Sequence, residues 1–216
     1  MERNLLDDQK SLFNSIGRKI RTKPVTEAMR RVPRERFVSP VSRTMAYADA
    51  ALAIGLGQTI PQPYIVALMT AALGLRGHEK VLEVGTGSGY QAAVLAELLP
   101  RGRVVSVELI PLLADRSKAL LRELGYVNVD VRRAGPALGC PDQAPFDAII
   151  VAAAAPRLPE ALWEQLEVDG RMVVPVGTLA GQELVQALRT EEGVSSKMLG
   201  PCRFVPLIGL GAFAKT

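Results

Sequence analysis

From residue 80 onwards, short apolar runs alternate with stretches whose apolar residues recur at helical spacing. The apolar or alternating runs predict strands at positions 80–84, 103–107, 127–131, 148–152, 172–176, 183–188 and 200–207. The helical spacing predicts helices at positions 90–99, 114–124 and 160–166. The run 148–152 is almost wholly apolar, as expected of a strand covered on both faces. This alternation predicts an α/β protein with a parallel sheet, right-handed crossovers and three layers.

The first 75 residues follow a different pattern, in which helical stretches are separated by connections that contain proline or glycine. Apolar spacing predicts helices at positions 4–17, 24–31 and 65–73. Gly17 is expected to end the first helix, and Pro24 suits the first turn of the second. Two prolines without a period predict a connecting loop at 31–40. We therefore expect one domain over 1–216, with a helical, cleft-forming segment at 1–75 and a core at 76–216.

A glycine-rich turn lies between the first strand of the core and the helix that follows it. Gly85, Gly87 and Gly89 stand at alternate positions after the run 80–84. A strand, a tight glycine turn and a helix N-terminus form a nucleotide cradle, because glycines let a ligand approach the backbone and the first N–H groups of the helix are unpaired. A dinucleotide fingerprint needs a third glycine at Tyr90, so a nicotinamide-dependent oxidoreductase is the disfavoured alternative.

Two acidic residues accompany the glycine turn. Glu108 follows the run 103–107, about 20 residues past the glycines, where nucleotide-binding folds place the acid that accepts the ribose hydroxyls. Glu83 lies in an otherwise apolar strand end, where a carboxylate is costly without a partner. The resulting pattern, Glu-x-Gly-x-Gly-x-Gly, resembles motif I of the class I methyltransferases, which bind S-adenosylmethionine.

Composition and charge exclude several other classes of protein. The chain of 216 residues is 48% hydrophobic and carries a net charge of +4. The basic residues of the first third suggest solvated helix faces more than a nucleic-acid stripe, and few aromatic residues are available for base stacking. Cys140 and Cys202 fit no metal spacing, and His78 lies in a turn. We expect a cytoplasmic monomer with no bound metal and no nucleic-acid or membrane partner, because no apolar run is long enough to span a bilayer.

Several longer segments resemble the protein-L-isoaspartate O-methyltransferase family, in the order in which the family has them, between about residues 10 and 209. The most selective are Gly-Gln-Thr-Ile at 57–60 and Ala-Ala-Ala-Ala-Pro at 152–156. Further similar segments are Arg-Val-Pro-Arg-Glu-Arg-Phe-Val at 31–38, Ala-Tyr-Ala-Asp at 46–49, Gln-Pro-Tyr-Ile-Val-Ala at 62–67, 169–177 and Phe-Val-Pro-Leu at 204–207.

The resemblance implies a Rossmann-like class I methyltransferase fold. Its mostly parallel, seven-stranded sheet would have helices on both faces, added N-terminal helices and an antiparallel strand among the last ones. It also implies methyl transfer from S-adenosyl-L-methionine, with S-adenosyl-L-homocysteine as the product, to the α-carboxyl of L-isoaspartyl residues in damaged proteins and peptides. A carboxylate with a pKa of about 4 is ionised at neutral pH, so this reaction needs no general base.

By the same resemblance, residue roles can be assigned. The methionine part of the cofactor would lie against Gly85, Thr86, Gly87, Ser88 and Gly89, with Glu83 behind this loop. Glu108 would bind the ribose, and the remaining cofactor-binding positions are Gln91, Leu109, Gly135 and Pro136. The catalytic positions are Thr59, Ile60 and Pro61, and the substrate positions are Gln58, Ala154, Val205, Pro206 and Leu207.

The chain departs from the family pattern at two of these positions. Pro61 stands where the family has a serine that orients the substrate, and Gly135 stands where the family has an acid that accepts the adenine amino group. Proline offers neither a hydroxyl nor an N–H, although Thr59 keeps a hydroxyl two residues earlier. The alternative hypothesis is therefore an S-adenosylmethionine-binding relative with reduced isoaspartyl activity or a different carboxylate substrate.

A nucleic-acid methyltransferase is a further alternative. Such an enzyme would show an Asn/Asp-Pro-Pro-aromatic motif at the end of its fourth strand, for holding a flipped base. Here that strand ends in Ala-Ala-Ala-Ala-Pro at 152–156, without an amide, a carboxylate or an aromatic ring. Small residues leave room for a backbone to approach, which favours a peptide substrate.

Overall fold

A computed structural model of the chain describes residues 5–209, 212 and 213. The helices are α1 (Leu5–Ile20), α2 (Lys23–Arg31), α3 (Pro63–Leu73), α4 (Tyr90–Leu98), α5 (Pro111–Glu123) and α6 (Glu160–Trp163). The strands are β1 (Leu52–Gly55), β2 (Gln58–Ile60), β3 (Lys80–Val84), β4 (Arg103–Glu108), β5 (Val129–Arg133), β6 (Phe146–Val151), β7 (Leu166–Gly177), β8 (Gln182–Thr190) and β9 (Gly193–Cys202).

Seven strands form one sheet in the order β5-β4-β3-β6-β7-β8-β9, and β1 and β2 form a separate antiparallel hairpin. The first five strands of the sheet are parallel, whereas β8 runs antiparallel to both of its neighbours. From β3 the chain passes through α4, β4 and α5 to β5, at one edge of the sheet. It then returns to place β6 on the other side of β3. The predicted mostly parallel, seven-stranded sheet is confirmed.

The two faces of the sheet are covered differently. Helices α1 to α5 pack on one face, where alternate strand residues such as Val81, Val104 and Ile150 are buried. The other face buries the intervening residues under short α6, the connection around residues 138–144, and residues 205, 207 and 212. The connection from β5 to β6 contains only a short 3-10 turn at Pro141–Gln143. The predicted three layers are present, but most of the second outer layer is irregular.

Three local predictions were wrong. Helix α1 continues through Gly17 to Ile20, because an interior glycine costs only about 1 kcal/mol and here faces Thr26 of α2, which packs closely against it. The helix expected over 160–166 ends at Trp163, because Leu166 is buried and pairs with Phe146 as the start of β7.

The last strand was also expected too late in the chain. It was placed at 200–207, but β9 covers Gly193–Cys202 and pairs along almost all of β8. A hairpin that begins at Thr190 and Gly193 sets this register. The segment from residue 203 to 209 leaves the sheet, and this frees it to lie beside the ends of the parallel strands. Among the described residues, no helix has the length and apolar character needed to cross a membrane.

Candidate functional site

A cavity of about 560 Å³ opens at the carboxyl ends of the parallel strands. Its floor includes Val84 at the end of β3, Glu108 at the end of β4 and Ala152 just after β6. The strand order reverses at β3, between β4 and β6. Open α/β sheets bind their ligands at such a switch point, outside the carboxyl ends of the strands. The volume lies within the usual range for small-molecule sites, roughly 300–1,000 Å³.

The glycine loop forms one wall of this cavity. Gly85, Gly87 and Gly89 all have positive φ angles, of 96°, 54° and 89°. The N–H of Gly85 donates to the carbonyl of Val107 at 2.8 Å, which fixes the loop to β4. A side chain at Gly89 would be strained and would come within 3.2 Å of Ser117 in α5. The alternating glycines therefore let the chain turn sharply into α4 while α5 packs against it.

Glu108 closes the loop from the β4 side. Its carboxylate accepts hydrogen bonds from the N–H of Gly87 at 2.8 Å and from the N–H of Ile110 at 2.9 Å. The side chain lines the cavity although only 6% of its surface is exposed. An ionised carboxylate has about four acceptor sites, so two backbone contacts leave capacity for ligand hydroxyls. Glu108 is also the only charged residue among the described residues that line the cavity.

Glu83 lies behind the loop and does not reach the cavity. It is fully buried, accepts a hydrogen bond from Ser106, and is connected through Ser106 to the hydroxyl of Thr86. Burial raises the pKa of Glu83 to about 8; the Ser106 hydrogen bond opposes this rise and the charge of Glu108 adds to it. One Glu83 carboxyl oxygen has no hydrogen-bond partner in the described part of the chain. Its visible contacts therefore support the loop from within the protein.

The opposite wall comes from the β1-β2 hairpin. Ile60 is buried, whereas Thr59 is exposed and lines the cavity together with Gln58 and Pro61. A second cavity of about 210 Å³ shares Thr59 and Pro61 with the first. Thr59 and Pro61 therefore stand where the larger cavity meets the smaller one.

The position of Pro61 is fixed by Arg34, a residue that is not among the predicted site residues. Arg34 has no exposed surface, and its guanidinium donates to the carbonyl of Pro61 at 2.7 Å and to the carbonyl of Ala46 at 2.9 Å. The same guanidinium lies 4.7 Å from the ring centre of Tyr90, the first residue of α4. Arg34 was expected in a connecting loop with a solvated basic face. The family-like segment at 31–38 was the only signal that could have indicated its role.

The late segment Val205, Pro206 and Leu207 forms a third wall. Ala154 does not line the cavity; its N–H donates to the carbonyl of Val205 at 2.8 Å and its carbonyl accepts from Leu207 at 2.7 Å. Ala154 thus holds this wall against the end of β6. Its side chain is fully buried, which explains why only a small residue fits there.

Sequence-predicted site residues can now be compared with the geometry. Three of them, Glu83, Gly89 and Ala154, lie directly behind the cavity wall. The others line the cavity: Gln58, Thr59, Ile60, Pro61, Gly85, Thr86, Gly87, Ser88, Gln91, Glu108, Leu109, Gly135, Pro136, Val205, Pro206 and Leu207. The amide of Gln91 also donates to the hydroxyl of Thr70 at 2.9 Å and so joins α4 to α3. Their individual roles in binding and catalysis stay predictions.

The described residues include no group of three or more His, Cys, Asp or Glu side chains that could hold a metal ion. Cys140 and Cys202 are both free thiols, and His78 is exposed. The polar groups that line the cavity are backbone groups, hydroxyls, the carboxamides of Gln58 and Gln91 and the carboxylate of Glu108.

Comparison with known proteins agrees with this geometry. Residues 7–211 match the family model for protein-L-isoaspartate(D-aspartate) O-methyltransferase. The protein-L-isoaspartate O-methyltransferase 1 of Syntrophobacter fumaroxidans is 54% identical over 194 residues, which cover 90% of each chain. The corresponding protein of Ignicoccus hospitalis is 53% identical over 191 residues, or 88% of this chain and 90% of its own.

Solved structures give the same result. A protein-L-isoaspartate O-methyltransferase superposes with a TM-score of 0.85 at 28% identity, over 94% of this chain and 67% of its own. A Plasmodium falciparum protein, described as a putative member of the same family in complex with S-adenosyl-L-homocysteine, shares the fold with a TM-score of 0.77 at 24% identity, over 91% of this chain and 96% of its own. From its sequence, its fold and the cavity at its switch point, this chain belongs to the protein-L-isoaspartate O-methyltransferase family, S-adenosylmethionine-dependent enzymes that methylate isoaspartyl residues in proteins.

Proposed function

We propose that this chain methylates the α-carboxyl of L-isoaspartyl residues in damaged proteins and peptides, with Thr59 orienting the acceptor carboxylate. The observation that carries the proposal is that the glycine loop, Glu108 and the β2 segment with Thr59 line one cavity, and that a second cavity continues from it at Thr59 and Pro61. A cofactor in the larger cavity and a peptide in the smaller one would thus meet at this strand.

The residues of the larger cavity fit S-adenosylmethionine. The loop at 85–89 presents backbone rather than side chains, so the methionine part can lie close to it. Glu108 keeps acceptor capacity for two ribose hydroxyls, as nucleotide-binding folds require at this strand end. The Glu83, Ser106 and Thr86 chain holds the loop in place from behind.

When bound, S-adenosylmethionine supplies a methyl group on a positively charged sulfur; an acceptor oxygen forms the new bond to carbon while the carbon–sulfur bond breaks. The protein has to hold the acceptor carboxylate in line and exclude competing water. Orientation of this kind can contribute roughly 7–11 kcal/mol in favourable cases. The exposed hydroxyl of Thr59 lines both cavities and can donate to that carboxylate, as can the side chains of Gln62 and Arg203, which line the smaller cavity.

Pro61 makes this arrangement differ from the pattern of the family. A serine at this position could donate a hydrogen bond to a charged oxygen, which is worth roughly 1.5–3 kcal/mol. The loss corresponds to about ten- to a hundredfold in rate unless another donor replaces it. Pro61 keeps its carbonyl engaged by Arg34, so the strand is held while Thr59 supplies the hydroxyl.

The test is methyl transfer from labelled S-adenosylmethionine to an isoaspartyl peptide, with the matching aspartyl peptide as the control. We expect the native chain to methylate only the isoaspartyl peptide. Thr59→Val, which removes the hydroxyl and keeps the shape, should lower kcat/KM by at least tenfold. Pro61→Ser in the Thr59→Val background should recover part of the loss.

Two outcomes would contradict the proposal. If neither the native chain nor Pro61→Ser methylates the isoaspartyl peptide, the chain binds a different acceptor. If Thr59→Val keeps full activity, the acceptor carboxylate is oriented by other groups.

We also propose that the chain acts as a cytoplasmic monomer on proteins rather than on nucleic acid or membranes. Several of its N-terminal arginines are already engaged within the fold: Arg31 pairs with Glu97, Arg36 pairs with Glu123, and Arg34 is buried. These pairings support the proposal because they reduce the positive charge available to phosphates. Light scattering would test the monomer directly.

A further inference from the structure

The cavity has an end that lies beyond Glu108, towards β5, which we call the base end. It is formed by residues 109–110, 134–139, 208, 209 and 213. Their side chains are apolar wherever they are larger than hydrogen, as in Leu109, Ile110, Pro136, Leu138, Ile208 and Phe213. None of the described residues at this end carries a charged, carboxamide or hydroxyl side chain.

This composition determines what the base end can distinguish. Adenine carries an amino donor at its six-position, whereas hypoxanthine carries a carbonyl acceptor at the same place. A site that uses polar side chains rejects the wrong base strongly, because its own groups are left unpaired. An apolar enclosure recognises the flat ring by contact and leaves the six-position without a matched side chain.

Gly135 stands at the base end, at the position where the family pattern has an acidic side chain. Its φ angle lies outside the left-handed region, and a Cβ atom built there would meet no atom of residues 5–209, 212 and 213 within 4 Å. The space beside the base is therefore open, and a short side chain could be added without strain. Its neighbour Ala134 is fixed by a hydrogen bond from its N–H to the carbonyl of Glu108 at 2.7 Å.

We infer that the cofactor site of this chain accepts purine sulfonium and thioether nucleosides with little selection at the six-position, and that Gly135 is the residue that sets this tolerance. The inference rests on the proposed cofactor. It concerns which base is accepted, and it does not depend on the identity of the methyl acceptor.

The test is calorimetric binding of S-adenosylhomocysteine and S-inosylhomocysteine, which differ only at the six-position and its adjacent ring nitrogen. The native chain should bind the two within about tenfold of each other. Gly135→Asp adds an acceptor that favours the amino group and repels the carbonyl, so the preference for S-adenosylhomocysteine should rise by at least tenfold. Gly135→Asn is the matched control, because its amide can turn to donate or accept and should leave the native ratio unchanged.

The inference is overturned if the native chain prefers S-adenosylhomocysteine by clearly more than tenfold, or if the Asp and Asn variants discriminate equally. Binding of neither compound to the native chain would instead overturn the proposed cofactor. The two failures are therefore distinguishable in one set of titrations, and neither depends on measuring methyl transfer.

Discussion

At the scale of single residues, Glu83 and Glu108 are two carboxylates with different environments. Glu108 faces the cavity and accepts two backbone N–H groups. Glu83 is fully buried and one of its oxygens has no hydrogen-bond partner in the described chain. Their side chains lie on the same face of the sheet, on the neighbouring parallel strands β3 and β4. Ser106 of β4 pairs with Glu83 in register, and Glu108 follows two residues later on the same strand. Glu108 is thus suited to bind a ligand, and Glu83 is suited to hold the glycine loop.

Glu108→Ala should weaken S-adenosylhomocysteine binding by roughly 2–3 kcal/mol, because two charge-assisted hydrogen bonds to the ribose would be lost. Calorimetry should give a dissociation constant about 30- to 150-fold higher. Glu167→Ala, at an exposed position of β7, is the control and should bind normally. An unchanged constant for Glu108→Ala would remove the ribose assignment.

Glu83 should make stability depend on pH. Its folded-state pKa is raised to about 8, above the value of an unfolded carboxyl, so the folded state holds a proton that the unfolded chain has released. This contribution to stability is complete below about pH 4 and is lost as pH rises through about 8. Glu83→Gln removes the titration. The free energy of unfolding of the native chain should therefore fall relative to the variant between pH 5 and 8.

Denaturant unfolding of both proteins across that range gives the measurement. Other titrating groups are common to both chains, so the difference between them isolates Glu83. If the free energies of unfolding of the native chain and of Glu83→Gln change in parallel with pH, Glu83 is ionised in the folded protein.

At the scale of elements, the turn from β3 into α4 depends on glycine for two separate reasons. Gly89 has a φ of 89°, and its Cβ would come within 3.2 Å of Ser117 and Leu121 in α5. Gly125 has a similar φ of 85°, but a Cβ atom built there would meet none of the described residues within 4 Å. Replacing each by alanine separates backbone strain from the contact between α4 and α5.

Gly125→Ala should cost about 1 kcal/mol of stability through strain alone. Gly89→Ala should cost about 1–3 kcal/mol more, because α5 must move away from the loop. Urea unfolding provides both values. Equal losses in the two variants would mean that α5 adjusts without cost.

Arg34 connects the hairpin strand β2 to helix α4. Its replacement by lysine keeps a positive charge but cannot reach both the Pro61 and Ala46 carbonyls with the same planar group. Arg34→Lys should lower kcat/KM for the isoaspartyl peptide by at least tenfold while the dissociation constant of S-adenosylhomocysteine changes less than threefold. The neighbouring exposed Arg31→Lys is the control. A parallel loss of cofactor affinity would assign Arg34 a purely structural role.

At the scale of the whole molecule, the parallel part of the sheet was predictable because its strands are nearly continuous apolar runs. The run 148–152 predicts a strand that is covered on both faces, and the glycine pattern predicts a tight turn between a strand and a helix. The strands near the C-terminus were less predictable: β9 alternates little and is largely exposed, so its length is set by pairing with β8 rather than by its own pattern.

The walls of the site also differ in how well their residues can be predicted from the sequence. The glycine loop and Glu108 can be located from sequence because their spacing follows from the nucleotide-binding turn. Arg34 could not, since a buried arginine that donates only to carbonyls looks like any charged loop residue in a sequence. Ala154 and Gly89 are predicted site residues, and only the structure reveals that they stand one layer behind the cavity wall.

Two segments that are far apart in sequence line the cavity together, one with Thr59 and the other with Val205. During synthesis on a ribosome, the glycine loop and Glu108 emerge long before residues 205–207. A nascent chain therefore lacks one wall of its site until residues 205–207 have been translated. The cofactor-binding loop of an enzyme that acts on the carboxyl groups of other proteins is thus made well before the wall that completes its cavity.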